Sequence, residues 1–220
     1  MNRKLGWSLC LLALALCSMP AMAGTLYSNL GTGSDVYNCC TGWTISGTGS
    51  IGTSFTAANL FAASASGSVG EIDVGVGYVE GANSFYVALY TDNNNLPGSL
   101  LGMWGGLSSS TNFGSCCGLV DITGITGVNV TAGTNYFLVI GPTSTSSTTW
   151  EAWNFSNSAT GLDLYSTNGG QSWESNGTQS IGAFQLLSGS GGTTPEPTSL
   201  LLFGTGVLGV IGAFRRKMKL

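Results

Sequence analysis

Residues 71–79 read EIDVGVGYV, and apolar side chains take every second position of this stretch. Successive side chains of an extended chain point to opposite faces, so the alternation predicts a β-strand. Its apolar face carries Ile72, Val74, Val76 and Tyr78. The opposite face carries acids and glycines, which indicates a face that is either wetted by solvent or in close contact with another segment.

Two further stretches, residues 84–91 (SFYVALYT) and 135–141 (NYFLVIG), are apolar on both faces and predict strands in the centre of a sheet. Gly, Asn and Ser punctuate the chain every 8 to 12 residues, and no helical period is sustained. Residues 24–187 are therefore predicted to form one all-β domain, a two-sheet antiparallel sandwich with jelly-roll-like connections. Weaker strand patterns cover residues 51–57, 100–107, 119–123, 150–155, 162–165 and 181–187.

Charge is distributed unevenly along the chain. All six Lys and Arg lie in the two ends, His does not occur, and residues 24–194 hold nine acids and no base. Binding to phosphates or to anionic lipid needs basic side chains, so neither nucleic acid nor an anionic membrane surface is an expected partner of this region. A Ser-His-Asp triad, a His-ligated metal and a Schiff-base lysine are excluded there. Oxygen-ligated Ca²⁺ stays open.

The amino-terminal end has the form of a secretory signal peptide over residues 1–23. Arg3 and Lys4 precede an apolar run at residues 5–16, and the small residues Ala21 and Ala23 suit cleavage by signal peptidase. About 12 apolar residues are too few for the ~20 of a spanning helix. A lipoprotein signal at Cys17 is less favoured, because the large Leu16 precedes the cysteine. The chain is therefore expected to be exported.

The carboxy-terminal end has three parts after a Gly/Ser/Thr linker at residues 188–194. Pro195-Glu196-Pro197 is followed by an uncharged apolar segment at 199–214, predicted to be a single transmembrane helix, and then by Arg215, Arg216 and Lys217. The basic residues should stay on the cytoplasmic side and leave the β-domain outside. An ordinary single-span anchor is the alternative interpretation.

This order of motif, apolar helix and basic end resembles the PEP-CTERM sorting domain, over residues 195–220. The resemblance implies a Gram-negative bacterium that makes exopolysaccharide, and processing by an exosortase, with Pro195, Glu196 and Pro197 as the recognition motif. It also implies an inner-membrane intermediate, transiently held by the helix, and a final place at the cell surface or in the extracellular matrix.

Four cysteines of the expected mature chain form two vicinal pairs, Cys39-Cys40 and Cys116-Cys117. An even number of cysteines in an oxidising compartment predicts disulfides. Bridges between the pairs are favoured over bridges within a pair, because they close a loop of about 77 residues and constrain the unfolded chain more strongly. A four-thiolate zinc site is a poorer fit, since adjacent cysteines do not match the usual ligand spacing.

The loop after residues 84–91 carries Asp92 and Asn94, whose oxygens could bind Ca²⁺. The preferred interpretation is an ordinary loop, since Asn, Asp, Pro and Gly are turn formers. No other cofactor is predicted.

Aromatic residues crowd between positions 150 and 173, with acids between them. Trp150, Trp153 and Trp173 are candidates for stacking on sugar rings, although sandwiches also bury Trp in their cores. Two acid pairs, Glu71 with Asp73 and Glu151 with Asp163, raise the remoter alternative of a glycoside hydrolase, which needs only two carboxyl groups.

Residues 60–141 also resemble the choice-anchor β-domains that commonly precede this type of tail, through the runs VALYTD, LPG and AGTNYFLV. The resemblance implies an extracellular β-sandwich and supplies no catalytic residues. The leading hypothesis is a non-enzymatic surface or matrix protein with a structural or adhesive role in an exopolysaccharide or biofilm layer. A carbohydrate-binding module is the alternative.

Overall fold

The computed structural model describes residues 24–189. The predicted signal peptide, the predicted sorting tail and the predicted transmembrane helix at 199–214 lie outside these residues. Between residues 24 and 189, no helix is long and apolar enough to cross a membrane.

The described chain is built almost wholly from strands, with one short helix. The strands are β1 Thr25–Ser28, β2 Asn38–Ser46, β3 Thr56–Ala62, β4 Gly67–Val74, β5 Val76–Glu80, β6 Phe85–Asp92, β7 Pro97–Leu107, β8 Val120–Thr123, β9 Asn129–Val130, β10 Asn135–Pro142, β11 Trp150–Ser166, β12 Glu174–Gly182 and β13 Phe184–Ser188. The helix, α1, spans Thr48–Ile51. β13 ends one residue beyond the predicted domain boundary at 187.

The strands form two antiparallel sheets, which confirms the all-β, two-sheet prediction. The five-stranded sheet has the order β1-β13-β4-β8, with β9 also on β4. The eight-stranded sheet has the order β12-β11-β3-β10-β6-β7, with β2 and β5 also paired to β11. The jelly-roll-like connections stay a prediction.

The main core lies between the two sheets. Ile72, Val74 and Leu186 of the smaller sheet pack into one buried cluster with Val87 and Leu138 of the larger sheet. A second buried cluster contains Ala58, Ala88 and Phe137, which alternate with main-core residues on their strands and so lie on the other face of the eight-stranded sheet. The strongly apolar strands β6 and β10 are therefore buried on both faces, as the sequence predicts.

Residues 71–79 differ from the single strand that the alternation predicts. The segment belongs to β4 up to Val74 and to β5 from Val76, so it leaves one sheet and enters the other at Gly75. β12 and β13 change sheets in the same way at Ala183. Gly75 donates its N–H to Ala183, Ala183 to Asn154, and Asn154 to Gly75, at 2.8 to 2.9 Å. These three bonds satisfy the backbone groups at the point where both strands cross over.

β11 is the longest strand and it organises the larger sheet. Its first half, through residue 155, pairs with β2 and β5. Its second half, from residue 160, pairs with β3 and β12. The patterns at 150–155 and 162–165 are thus two parts of one strand, and β2 has no counterpart among the predicted strands.

Candidate functional site: an aromatic pocket on the larger sheet

A pocket of about 400 Å³ is lined by residues of β2, β3, β12 and the second half of β11, and we call it the aromatic pocket. Its walls and floor come from four strands and from the residue before β3. The side chains that define its chemistry are Trp43, Phe55, Ala57, Asp163, Tyr165 and Asn176.

Three half-buried aromatic rings form the walls of the aromatic pocket. The indole N–H of Trp43 donates to the carbonyl oxygen of Ser180 at 3.0 Å, and its ring meets Phe155 edge-on with centroids 5.1 Å apart. Phe55 and Tyr165 face each other with ring centroids 6.2 Å apart. Hydrogen bonding and edge contacts fix the Trp43 ring, so its orientation is set before any ligand arrives.

The floor carries the carboxyl group of Asp163, which is fully buried. Its Oδ1 accepts a hydrogen bond from Asn59 Nδ2, and its Oδ2 accepts one from Asn176 Nδ2, both at 2.6 Å. Burial raises the pKa of Asp163 to about 7, and the two amide donors act in the opposite direction. This carboxyl group therefore changes charge near neutral pH, within reach of the aromatic pocket.

Local strand geometry places these polar groups. Asn59 lies directly opposite Asp163 in the β3–β11 pairing. On the other side, Asp163 pairs with Gly177 while Leu164 pairs with Ser175, which leaves Asn176 as an extra residue, a β-bulge. The positive φ of Gly177, 76°, suits this irregularity, and a bulge re-aims the side chain of its extra residue.

At the edge of the aromatic pocket, the Tyr165 hydroxyl donates to Glu174 Oε2 at 2.5 Å. The aromatic rings can stack on the C–H face of a sugar, and the Asp163 carboxyl group and the Asn176 amide can form hydrogen bonds with its hydroxyl groups. The arrangement suits a small polar ligand with one apolar face.

The structure places the predicted sugar-binding tryptophans elsewhere. The prediction that Trp153 stacks on sugar is wrong. Its side chain is fully buried in the main core, and its indole N–H donates to the carbonyl oxygen of Ala183 at 3.2 Å. It cannot stack on an external ligand. Trp150 and Trp173 are half-buried, and Trp173 packs against the second cluster on the larger sheet. None of the three lines the aromatic pocket.

Trp43 and Phe55 are the pocket residues that sequence reasoning missed: β2 was not among the predicted strands, and the strand pattern at 51–57 gave Phe55 no role in a site. Asp163 and Tyr165 belong to the predicted aromatic segment. The alternation of Trp43 and Ile45 with Thr44 and Ser46 was the available signal for β2. The pairing of Trp43 with Trp153 across β2 and β11 brings this distant strand to the site.

The cysteines differ from the preferred arrangement of bridges between pairs. Cys116 is bonded to Cys117, while Cys39 and Cys40 are unbonded, with their sulfur atoms 3.7 Å apart. The two pairs are nevertheless neighbours, since the N–H of Gly114 donates to the carbonyl oxygen of Cys39 at 2.8 Å. Cys40 is exposed to solvent.

Asp92 and Asn94 lie in the turn of the β6–β7 hairpin. Asp92 Oδ1 accepts the N–H of Asn95 at 2.8 Å, and Asn94 and Asn95 have positive φ of 55° and 65°. Asn is well suited to this backbone conformation, so the turn by itself accounts for these residue types. Ca²⁺ at this loop stays a prediction.

Comparison with known families gives a match at the carboxy-terminal end. Residues 193–217 match the family model of the PEP-CTERM protein-sorting motif. The chain carries a PEP-CTERM sorting motif. This motif indicates an exosortase-sorted bacterial protein with a surface or extracellular destination. No curated protein matches the chain.

The matched PEP-CTERM range spans Pro195, Glu196 and Pro197 as well as the basic residues Arg215, Arg216 and Lys217. The resemblance of the tail is thereby confirmed. The roles of these single residues, the cleavage site at Ala21 and Ala23, and the likeness of residues 60–141 to choice-anchor domains stay predictions.

Proposed function

We propose that this protein is a non-enzymatic, exosortase-sorted extracellular protein that binds polysaccharide through the aromatic pocket. Its role is structural or adhesive within an exopolysaccharide or biofilm layer. The observation that carries the proposal is the convergence of Trp43, Phe55 and Tyr165 above the Asp163 carboxyl group.

The chemistry of the pocket favours a neutral or weakly charged sugar. The domain has no basic side chain with which to hold an anionic group, and Asp163 repels anions when ionised. Aromatic faces and amide groups recognise the C–H and hydroxyl groups that every hexose offers. Because the pocket is open on one side and holds one or two rings by its volume, it suits a unit within a longer chain.

The glycoside hydrolase alternative receives less support from the acids beside the aromatic segment. Glu151 is fully buried and does not line the aromatic pocket, whereas Asp163 lines it. They also lie in the two halves of β11 that pair with different strands. A buried Glu151 in the main sheet cannot reach a substrate that occupies the aromatic pocket, so this pair does not serve as acid and base on one bond.

The test is a glycan array followed by a titration of intrinsic tryptophan fluorescence with the best glycan. We expect saturable binding by the full chain, and a loss of affinity of about tenfold or more in Trp43→Ala, because stacking of a ring on an aromatic side chain is worth roughly 1–3 kcal/mol for nucleic-acid bases. Trp43→Phe should retain part of the affinity.

Trp173→Ala is the matched control, since it removes an equally half-buried indole away from the aromatic pocket. Its affinity should equal that of the unmodified chain. Lack of saturable binding to any glycan would refute the proposal. Loss of binding in Trp173→Ala but not in Trp43→Ala would place the site elsewhere.

A further inference from the structure

Three carboxyl groups converge on the five-stranded sheet, and we call Glu71, Asp73 and Asp121 the acidic cluster. Glu71 and Asp73 lie two residues apart on β4, on the face opposite to the core residues Ile72 and Val74. Asp121 lies directly opposite Asp73 on the neighbouring strand β8. One oxygen of each carboxyl group lies within 4.8 Å of the others.

Asp73 is the buried member, with 4% of its surface exposed. Its Oδ2 accepts a hydrogen bond from Gln185 Nε2 at 2.6 Å, on the β13 side of the strand. Its Oδ1 is buried and has no hydrogen-bond partner among residues 24–189. A buried carboxylate oxygen normally has a donor or a cation beside it, so this atom indicates a missing partner.

The missing partner cannot be a basic side chain of this domain, because residues 5–214 contain no Lys, Arg or His. Like charges directly opposite each other on paired strands destabilise a sheet, which is the situation of Asp73 and Asp121.

We propose that the acidic cluster binds a Ca²⁺ ion that joins β8 to β4. Its ligands are carboxylate oxygens only, which is the donor set that Ca²⁺ prefers and that Zn²⁺ or Cu²⁺ do not. Two oxygens bound to one Ca²⁺ at about 2.3–2.6 Å can lie no further apart than about 5 Å. The 4.8 Å limit within the acidic cluster satisfies this condition.

The ion acts on the edge of the smaller sheet. β8 has four residues and is the terminal strand of its sheet. A cation between Asp73 and Asp121 replaces their repulsion with attraction to a common charge, so a bound ion strengthens the pairing of the edge strand. This role is independent of the aromatic pocket, which lies on the larger sheet.

The experiment uses the full chain in detergent micelles, freed of metal with EDTA. Isothermal titration with CaCl₂ measures affinity, and hydrogen exchange measures the protection of residues 120–123. We expect saturable Ca²⁺ binding, a rise in melting temperature and slower exchange in β8. Asp121→Asn should weaken Ca²⁺ binding by tenfold or more; Asp121 is exposed, so the variant should keep the fold.

Asp92→Asn is the matched control, because it removes the same charge from the hairpin turn outside the acidic cluster. It should bind Ca²⁺ as the unmodified chain does. Three results would overturn the proposal: no heat of Ca²⁺ binding, full affinity in Asp121→Asn, or lost affinity in Asp92→Asn. The last would assign the ion to the β6–β7 turn.

Discussion

Glu151 offers the sharpest test of how the larger sheet is held together. This residue is fully buried on β11, opposite Ile45 of β2 and Tyr78 of β5. Neither of its carboxyl oxygens has a hydrogen-bond partner among the described residues, and burial raises its pKa from 4.5 to about 8. The folded protein therefore holds Glu151 protonated at neutral pH, whereas the unfolded chain releases the proton.

The sign of the pH dependence follows from this difference. A carboxyl group whose pKa is raised by folding contributes most to stability below its unfolded pKa, near 4.5, and loses that contribution as the pH rises toward 8. At about 1.4 kcal/mol per pKa unit, the loss is roughly 4 kcal/mol by pH 8. This is a large part of the free energy of unfolding of a typical domain, about 5–15 kcal/mol.

The perturbation is Glu151→Gln, which keeps the shape and the uncharged state of the protonated side chain. We expect the variant to match the unmodified chain within about 1 kcal/mol at pH 5 and to be more stable by roughly 4 kcal/mol at pH 8. Urea unfolding followed by tryptophan fluorescence, at several pH values between 5 and 8, measures both curves. Other titrating acids affect both proteins equally, so they cancel in the comparison.

Glu80→Gln serves as the control, since it removes a carboxyl group from an exposed position at the end of β5. Its curve should run parallel to that of the unmodified chain. If Glu151→Gln instead shows the same slope as the unmodified chain between pH 5 and 8, Glu151 is ionised in the folded state. The reasoning from its burial would then be wrong.

Two further predictions concern packing and thiol chemistry. Gly182→Ala should destabilise the protein by about 3 kcal/mol in urea unfolding, because a methyl group there overlaps the ring of buried Trp153. Gly105→Ala is the control, since the space around its α-carbon is open, and it should leave stability unchanged within about 0.5 kcal/mol. Alkylation without reduction, followed by peptide mass mapping, should label Cys39 and Cys40 and leave the bonded pair Cys116-Cys117 unlabelled. A disulfide-linked peptide that joins the two pairs would contradict this and support the bridges between pairs that the sequence favours.

The candidate site was only half predictable from the sequence. Asp163 and Tyr165 stand in a segment whose aromatic and acidic composition is visible in the chain, whereas Trp43 and Phe55 lie more than 100 residues away. Trp43 reaches the site through the pairing of β2 with β11, and Phe55 through the pairing of β3 with β11. Strand pairing over such a separation depends on which apolar faces meet, and local composition does not encode that choice. The same reason explains why the burial of Trp153 could not be told from its neighbours.

By itself the sequence determined the properties that depend on order and on composition: the sorting tail, the positive charge confined to the ends, and the period-two alternation of the strands. The tertiary structure decided where residues 71–79 leave one sheet for the other, and that Glu71 and Asp73 meet Asp121 there. Alternation assigns side chains to two faces, because successive residues of a strand point in opposite directions. What covers each face is set by strands far away in the chain, and only the folded molecule brings those together.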